Sequence, residues 1–358
     1  MTTLDVLRTV AGHGLPGDRP VVDLASPEVG SLLVEASAHK LVGLLDQAVA
    51  DGAVRCDDAD AQQIGERAVE VAAWSVRLER HLLAVHDLLD DASIPHRFVK
   101  GATVAHRFYD HPGLRMSVDV DLLVETHQLE PTVERLEAAD HVRQQRDPYP
   151  GFSRRYAKSV TARSRQGVEV DVHRVIPDGP FGLRAGPEVL WRRPVAHVVI
   201  GGRAMPTLDP AAAFVQACVN AVASFDMVSL ASLRDVAQIG PAIGDDLTAV
   251  QELARAMAVE ACVAEAVMRA STELQWTPSP AITEIAGWPI SPREREWLDA
   301  YRARPSDLRR TLLGLRAVPT AAGKASYLVS VAALALGRPS RRRAQWIQPS
   351  RRRFWRPS

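Results

Sequence analysis

Two short segments of the chain alternate strictly between apolar and polar positions, and most of the polar positions are acidic. Residues 118–122 read Val-Asp-Val-Asp-Leu, and residues 168–173 read Val-Glu-Val-Asp-Val-His. Because successive side chains of a β-strand point to opposite faces, each segment predicts a strand with apolar side chains on one face and acids on the other. If the two strands lie side by side, we expect Asp171 to reach the same place as Asp119 and Asp121.

Longer stretches with the apolar spacing of helices lie on both sides of these strands. Residues 30–50 and 57–89 precede them, and the second stretch has a wide apolar face. Beyond residue 206 the pattern is helical again. It begins with Asp209 as an N-cap and Pro210 at the first helical position.

The middle of the chain has the mixed pattern of a small sheet with helices. Residues 156–163 and 167–176 predict an antiparallel pair of strands, and Gly201-Gly202 predicts a two-residue hairpin turn. The fold class that follows is α+β, a mixed-sheet core between a helical N-terminal lead-in and a helical C-terminal domain. The expected divisions are residues 1–92, 93–207 and 208–337, with a basic tail at 338–358.

The composition favours a protein of the cytoplasm. The three cysteines are scattered and have no metal-binding spacing, which argues against a disulfide framework and against a zinc site. The first residues lack the basic start and apolar run of a signal peptide, and the longest apolar stretch, residues 327–336, is too short to span a bilayer. We therefore expect a cytoplasmic location and no transmembrane segment.

The formal net charge is zero, but the charge is unevenly distributed. Eight of the 43 Lys and Arg residues lie in residues 338–358, where no acid occurs, so residues 1–337 carry a formal −8. The tail mixes arginines with Trp346, Phe354 and Trp355, a combination suited to nucleic acid or to an anionic membrane surface. The other interpretation, which the sequence favours, is a tail that is solvated or docked on the acidic body.

Asp119, Asp121 and Asp171 are candidate metal ligands on physical grounds. Carboxylates that lie close together repel each other, and their burial is costly unless a cation or a proton compensates. A hard divalent ion with oxygen ligands gives that compensation, and Mg²⁺ is the ion that we expect. Three carboxylates from two neighbouring strands are what a two-metal phosphoryl-transfer site requires.

The motifs occur in an order that resembles a known family. A strand ends in Lys100-Gly101 and a helix follows. Residues 115–124 then read Arg-x-Ser-x-Asp-x-Asp-Leu-Leu-Val, and Asp171-x-His173 comes later. This order resembles that of the bacterial proteins called nucleotidyltransferase family proteins, within the DNA polymerase β superfamily. The resemblance covers residues 98–174, with weaker similarity in the flanking helices and at residues 346–350. It is more specific for the fold than for activity, because some members of such families lose catalysis.

The resemblance implies a role for each residue of the motif. It implies that Asp119 and Asp121 bind the metal ions and that Asp171 binds the catalytic ion beside the acceptor hydroxyl. Gly101 resembles the glycine that lets the backbone approach the triphosphate, with the N–H groups of the next helix directed at it. The family often has Gly-Ser or Gly-Gly here, whereas this chain has Ala102, so a phosphate-binding hydroxyl is missing unless Thr103 replaces it.

Four further residues are carried over from the family pattern. Arg115 and Ser117 lie where the superfamily contacts phosphate oxygens, and Lys100 and His173 match the narrower family. Three alternatives stay open from the residues alone. Arg115 could instead neutralise Asp119 or Asp121 in a protein without metal. His173 could be a core histidine bonded to backbone. Lys100 could be an exposed cation at a strand end.

The function that follows is Mg²⁺-dependent transfer of a nucleoside monophosphate from a nucleoside triphosphate to an acceptor hydroxyl, with two ions. The alternative is an inactive module of the same fold that binds nucleotide or RNA. The Ala102 departure favours that alternative slightly, and the intact acids disfavour it more. The acceptor is not readable from the sequence. A small molecule such as an antibiotic, a tRNA end and a protein hydroxyl all fit, and the tail allows contact with nucleic acid.

Overall fold

The computed structural model describes residues 2–24, 29–145, 147, 150–223, 229–302 and 307–336. The basic tail of residues 338–358, which includes the family-like residues 346–350, lies outside the described residues. In the described part of the chain, none of the helices has the length and apolar character needed to cross a bilayer.

Helices account for most of the secondary structure. The α-helices are α1 (Thr3–Gly12), α2 (Val29–Ala38), α3 (Val42–Ala50), α4 (Asp58–Asp91), α5 (Gly101–Phe108), α6 (Leu129–Ala138), α7 (Phe152–Tyr156), α8 (Gly179–Arg184), α9 (Glu188–Trp191), α10 (Pro210–Val222), α11 (Leu230–Ile239), α12 (Thr248–Met257), α13 (Glu260–Leu274), α14 (Pro280–Ile285), α15 (Pro292–Arg302), α16 (Asp307–Ala317) and α17 (Ala321–Leu336). The strands are β1 (Val22–Asp23), β2 (Val54–Arg55), β3 (His96–Val99), β4 (Val120–Val124), β5 (His141–Arg143), β6 (Ser159–Ser164), β7 (Glu169–His173), β8 (Val195–Ile200) and β9 (Arg203–Leu208).

Seven of these strands form one mixed sheet in the order β5-β6-β7-β4-β3-β9-β8. At its centre β4 runs parallel to β7 and antiparallel to β3. The remaining pairs are antiparallel except β3 with β9. Separately, β1 and β2 form a short parallel pair. This mixed sheet with helices confirms the predicted α+β class.

The two faces of the sheet pack against different helices. Val120 and Leu122 of β4 belong to a hydrophobic cluster with Leu82 of α4 and Val133 of α6. Leu123, on the opposite face of β4, belongs instead to the large cluster formed by the other helices. The alternation of β4 therefore directs its even-numbered side chains toward α4 and its odd-numbered side chains, Asp121 included, toward the larger helical part.

Helices from both ends of the chain share that larger cluster. Leu7 of α1 and Leu45 of α3 are buried in it together with Phe214 of α10 and Val236 of α11. Burial of these apolar side chains stabilises the fold, by roughly 1.5–3 kcal/mol for each fully buried large aliphatic or aromatic side chain. The shared core shows that α1 and α3 pack with α10 and α11. The expected domain boundaries at residues 92 and 207 stay predictions.

Several local predictions are confirmed. β6 and β7 pair antiparallel, and β8 and β9 form a hairpin around Gly201 and Gly202, whose φ angles are 57° and 79°. Such positive φ values fit the two-residue turn that glycine favours. Asp209 caps α10 by accepting hydrogen bonds from the N–H groups of Ala211 and Ala212.

One strand boundary was predicted wrongly. The alternation indicated a strand from residue 118, but β4 begins at Val120. Its ladder with β7 starts at the pair Val120 and Val170, and its ladder with β3 ends where Asp121 meets Val99. After Val99 the chain turns away with a positive φ at Lys100, so the segment before Val120 has no strand of that side to pair with.

Candidate active site

The central parallel strands bring two of the predicted acids into register. Asp121 of β4 is the direct partner of Asp171 of β7. One potential ligand atom from each of Asp121, Asp171 and His173 lies within 4.8 Å of the others. The expectation that the two alternating segments lie side by side, with these acids on one face, is therefore confirmed by the strand pairing.

Asp119 lies one residue before β4 and is not part of that group of three among the residues that the structure describes. It is 8% exposed. Together with Gly101, Ser117 and Asp121 it lines a small pocket at the start of α5. The structure thus places Asp119 beside Asp121 in one pocket, and its role as a third metal ligand stays a prediction.

Asp121 is the centre of the polar network. Its Oδ1 accepts a hydrogen bond from Lys100 Nζ at 3.1 Å and another from His173 Nε2 at 2.7 Å. Asp171 Oδ1 accepts one from the Thr161 hydroxyl at 2.5 Å, across the β6–β7 pair. Lys100 therefore supplies part of the positive charge that two adjacent carboxylates require.

His173 is almost fully buried, with 1% of its surface exposed. Burial, followed by repulsion from Lys100, lowers the pKa of His173 to about 3, so the imidazole is neutral at neutral pH despite its contact with Asp121. Its Nε2–H then donates to Asp121, and its Nδ1 has no hydrogen-bond partner within the described residues. His173 therefore orients the Asp121 carboxylate. The alternative from the sequence was a core histidine bonded to backbone, whereas the structure shows a bond to a side chain of the site.

Lys158 is a residue of the site that the sequence did not reveal. It is half-buried directly before β6. Burial, followed by repulsion from Lys100, lowers the pKa of Lys158 to about 8, while the negative charges of Asp178, Asp121 and Asp171 oppose that shift. A single lysine just before a strand has no periodicity to distinguish it, so no pattern could have indicated this position.

The Lys100-Gly101 turn presents the N-terminus of α5 to the acids. Lys100 has φ 58° and ψ −157°, and Gly101 has φ 47°. A Cβ added at Gly101 would meet Ser117 Oγ at 3.5 Å, an ordinary contact, so the glycine is needed for its φ rather than for space. The Thr103 hydroxyl donates its proton to the Lys100 carbonyl oxygen at 2.7 Å, at the first turn of α5. In this arrangement the proton is not directed at a phosphate.

Arg115 forms its ion pair with an acid outside the predicted motif. Its Nε and Nη2 donate to the two carboxylate oxygens of Asp235 in α11 at 2.9 and 2.7 Å, and its Nη1 donates to Ser117 Oγ at 3.1 Å. Tyr109 donates its hydroxyl to the same Asp235 carboxylate at 2.8 Å. Although burial alone would lower the pKa of Arg115, Asp235 raises it above its ordinary value. The ion pair of Arg115 is therefore made with Asp235, while the charge of Asp121 contributes to the same raised pKa, and the contact of Arg115 with phosphate stays a prediction.

The donor chemistry of the site fits a hard divalent cation. Asp121 and Asp171 offer carboxylate oxygens from neighbouring strands, which are the ligands that Mg²⁺ prefers. His173 uses its Nε2 proton on Asp121, so it fits an orienting role better than that of a ligand. Lys100 and Lys158 add positive charge near these carboxylates.

Comparisons with known proteins agree with this geometry at the level of the family. Residues 26–274 match the sequence profile of a family described as uncharacterised nucleotidyltransferase. No curated protein sequence matches the chain.

Two solved structures are similar over part of the chain. The lincosamide antibiotic adenylyltransferase LnuA, solved with lincomycin bound, is 12% identical, with a TM-score of 0.31 over 45% of this chain and 96% of that one. An antigenic nucleotidyltransferase-like protein from Paracoccidioides brasiliensis is 14% identical, with a TM-score of 0.34 over 59% of this chain and 96% of that one. Since both TM-scores are low, the assignment depends on the profile match, which spans well over half of the chain. The chain belongs to the uncharacterised nucleotidyltransferase family.

Proposed function

We propose that this protein transfers a nucleoside monophosphate group from a nucleoside triphosphate to an acceptor hydroxyl. The observation that carries the proposal is the register of Asp121 with Asp171 on adjacent parallel strands, beside the N-terminus of α5. Family membership supports the reaction class, and the unbridged cysteines Cys56, Cys218 and Cys262 fit the reducing cytoplasm as its place.

The proposed ligands of the metal ions are Asp121 and Asp171, with Asp119 as the third carboxylate. Two Mg²⁺ ions bound there would neutralise phosphate charge and lower the pKa of the acceptor hydroxyl. The protein's own groups do the rest. The free N–H groups at the start of α5 and the Lys100 ammonium bind phosphate oxygens, and His173 keeps Asp121 in one orientation.

The transfer step is an in-line displacement. The acceptor oxygen forms a bond to the α-phosphorus while the bond from that phosphorus to the bridging oxygen breaks, and pyrophosphate leaves. Asp171 is the carboxylate proposed to take the proton of the hydroxyl. Positioning and charge neutralisation carry most of the rate in such reactions, which suits a site made of fixed carboxylates and lysines.

Labelled triphosphates test the proposal. The full chain is incubated with each of the four nucleoside triphosphates, labelled either at the α- or at the γ-phosphate, with Mg²⁺ and a cell extract separated afterwards into RNA, protein and small molecules. Transfer of the α-label but not of the γ-label indicates nucleotidyl transfer, and the labelled fraction gives the acceptor class. Transfer of the γ-label alone would replace the proposal with a kinase activity.

A matched pair of variants locates the activity. Asp171→Asn should abolish labelling, whereas Glu169→Gln should retain it, because Glu169 lies two residues earlier on the same strand and pairs with Arg163. Nucleotide binding without any labelling in the complete extract would support the inactive binding module instead. Equal labelling by the wild-type protein and Asp171→Asn would exclude the acidic pair as the reaction site.

A further inference from the structure

A second cavity lies on the other side of the sheet from Asp121 and Asp171. Its volume is about 810 Å³, within the range of small-molecule sites. Its walls include Val85 of α4 and Val168, which both belong to the hydrophobic cluster on the α4 face of the sheet. Val168 precedes Asp171 by three residues, roughly 10 Å along an extended chain, and faces the opposite way. The cavity is therefore separate from the acidic pair.

Helix α4 supplies half of the residues that line the cavity. Trp74, Arg77 and His81 line it at intervals of three and four residues, which places them on one face of the helix. On the adjacent face, Leu78 and Leu82 line the pocket that holds Gly101 and Asp121. Helix α4 therefore contacts both pockets.

Two of the arginines at this cavity lack a counter-charge. Arg165 pairs with Asp140 at 2.7 Å, but Arg77 and Arg80 are exposed and make no ion pair with any residue that the structure describes. Residues 1–337 carry a formal net charge of −8, so a local excess of positive charge at the cavity differs from the negative charge of this part of the chain as a whole. Arginine binds phosphate through parallel N–H donors, which makes an anion the complementary ligand.

The remaining polar wall is neutral. His141 donates from Nδ1 to the Ala139 carbonyl oxygen at 3.0 Å, so its Nε2 accepts from His81 Nε2 at 2.9 Å. Burial, followed by repulsion from His141, lowers the pKa of His81 to about 4, which leaves it uncharged at neutral pH. Trp74 is half-buried against the core and contributes a large aromatic surface to the cavity.

We propose that this cavity binds a free nucleotide, with the base stacked on Trp74 and the phosphate held by Arg77 and Arg80. A simple anion would not require the indole, and an apolar ligand would not require two guanidinium groups that form no ion pair in the described part of the chain. An aromatic side chain can stack on any base, so Trp74 favours nucleotides as a class rather than one particular base. The proposal does not depend on the reaction at Asp121 and Asp171.

Binding of nucleoside monophosphates in EDTA tests this inference. Without divalent ions the acidic site repels phosphate, so calorimetry of the full chain with AMP, GMP, CMP and UMP reports the cavity. We expect saturable binding of at least one of them, weakened at least tenfold by the double substitution Arg77→Ala with Arg80→Ala. The matched control is Arg293→Ala with Arg295→Ala, which removes two exposed charges from α15 and should change the affinity less than twofold.

Further arms separate the components of the ligand and the two sites. Trp74→Phe should retain binding and Trp74→Ala should weaken it. The nucleoside alone and inorganic phosphate alone should each bind at least tenfold more weakly than the monophosphate. Asp121→Asn should bind as tightly as the wild-type protein. The inference is overturned if no monophosphate binds saturably, if phosphate alone binds as tightly, if the Arg77 and Arg80 variant keeps full affinity, or if Asp121→Asn loses it.

Discussion

Arg115 and Asp235 form a two-point ion pair that joins the segment before Asp119 and Asp121 to helix α11. The guanidinium nitrogens lie 2.9 and 2.7 Å from the two carboxylate oxygens, and both side chains are about nine-tenths buried. Ser117, held by the third nitrogen of Arg115, lines the pocket of Asp119 and Asp121. The helical part of the chain therefore fixes the edge of the acidic site through this contact.

Asp235→Ala should destabilise the fold by about 3–5 kcal/mol, since it leaves the Arg115 charge buried without its partner. Urea unfolding followed by circular dichroism measures the change. The control is the double variant Arg115→Met with Asp235→Leu, which replaces the pair with apolar groups and should be clearly more stable than Asp235→Ala. A double variant that is as unstable as the single one would show that the pair is not the source of the effect.

Lys100 is expected to store backbone strain at the site. Its φ of 58° with ψ −157° is rare for a residue with a side chain, and such conformations cost on the order of 1–3 kcal/mol. Lys100→Gly relieves that strain, whereas Lys100→Met keeps it, and both remove the ion pair with Asp121. After the extra freedom of glycine in the unfolded chain is subtracted, Lys100→Gly should be about 1 kcal/mol more stable than Lys100→Met.

Urea midpoints of the two Lys100 variants give this difference directly, because the loss of charge is common to both. Equal stability would mean that the surrounding structure does not hold Lys100 in a strained conformation. Both variants should also lose nucleotidyl transfer, since each removes the ammonium group beside Asp121.

The sequence could predict those parts of the site that lie in segments of alternating apolar and polar residues. Asp121 and Asp171 lie on one face of the sheet because each alternates with apolar residues along its strand. This alternation can be read from the sequence alone. The Arg115 partner was not visible, because Asp235 lies 120 residues later on an amphipathic helix, and only the packing of α11 brings it near. Arg77 and His81 were equally hidden, since their helix shows its apolar face more clearly than its polar one.

Mg²⁺ should stabilise the wild-type protein against heat but not the variants of the acidic pair. Without Mg²⁺, Asp171→Asn should be at least as stable as wild type because it relieves repulsion from Asp121, whereas Asp121→Asn loses its contact with Lys100 and should be slightly less stable. Thermal melts across a Mg²⁺ titration test both statements. Activity should fall on the order of 10³-fold in each, as expected when several kcal/mol of metal stabilisation is lost. A Mg²⁺ response that survives in both variants would place the ion elsewhere.

Acid should weaken the fold through His81. Its folded pKa of about 4 lies below the value of about 6.5 for a histidine in an unfolded chain, so the unfolded state binds the proton first. The contribution is therefore fully present above pH 6.5 and is lost as the pH falls toward 4, by at most about 1.4 kcal/mol per pH unit. Because His81 is only partly buried, the measured slope should be smaller than this limit.

Urea unfolding between pH 4 and pH 7 tests the role of His81. His81→Gln keeps a donor for His141 and should flatten the decline in the free energy of unfolding. His197→Gln, at an exposed position of β8, is the control and should follow the wild-type curve. Identical curves for all three proteins would assign the acid sensitivity to other groups.

Binding of RNA, if RNA is the acceptor, should depend on the basic residues 338–358. The rest of the chain is formally −8 and repels phosphate at long range, so deletion of these residues should remove most of the salt-dependent affinity. Each lost phosphate contact should reduce the slope of log affinity against log salt by about 0.7–0.9. Filter binding of total RNA between low and physiological salt measures this slope, and transfer to a small-molecule acceptor should survive the deletion.

An RNA affinity that is unchanged by the deletion would move the basic surface to the β6–β7 region. There the structure leaves few candidates, because Arg163 pairs with Glu169, Arg165 pairs with Asp140, and Lys158 is half-buried. Arg154 and Arg155 on α7 are exposed, so Arg154→Ala with Arg155→Ala would then be the variant that lowers the slope. If the tail binds RNA, only the deletion should lower the affinity. If α7 binds RNA, only Arg154→Ala with Arg155→Ala should lower it.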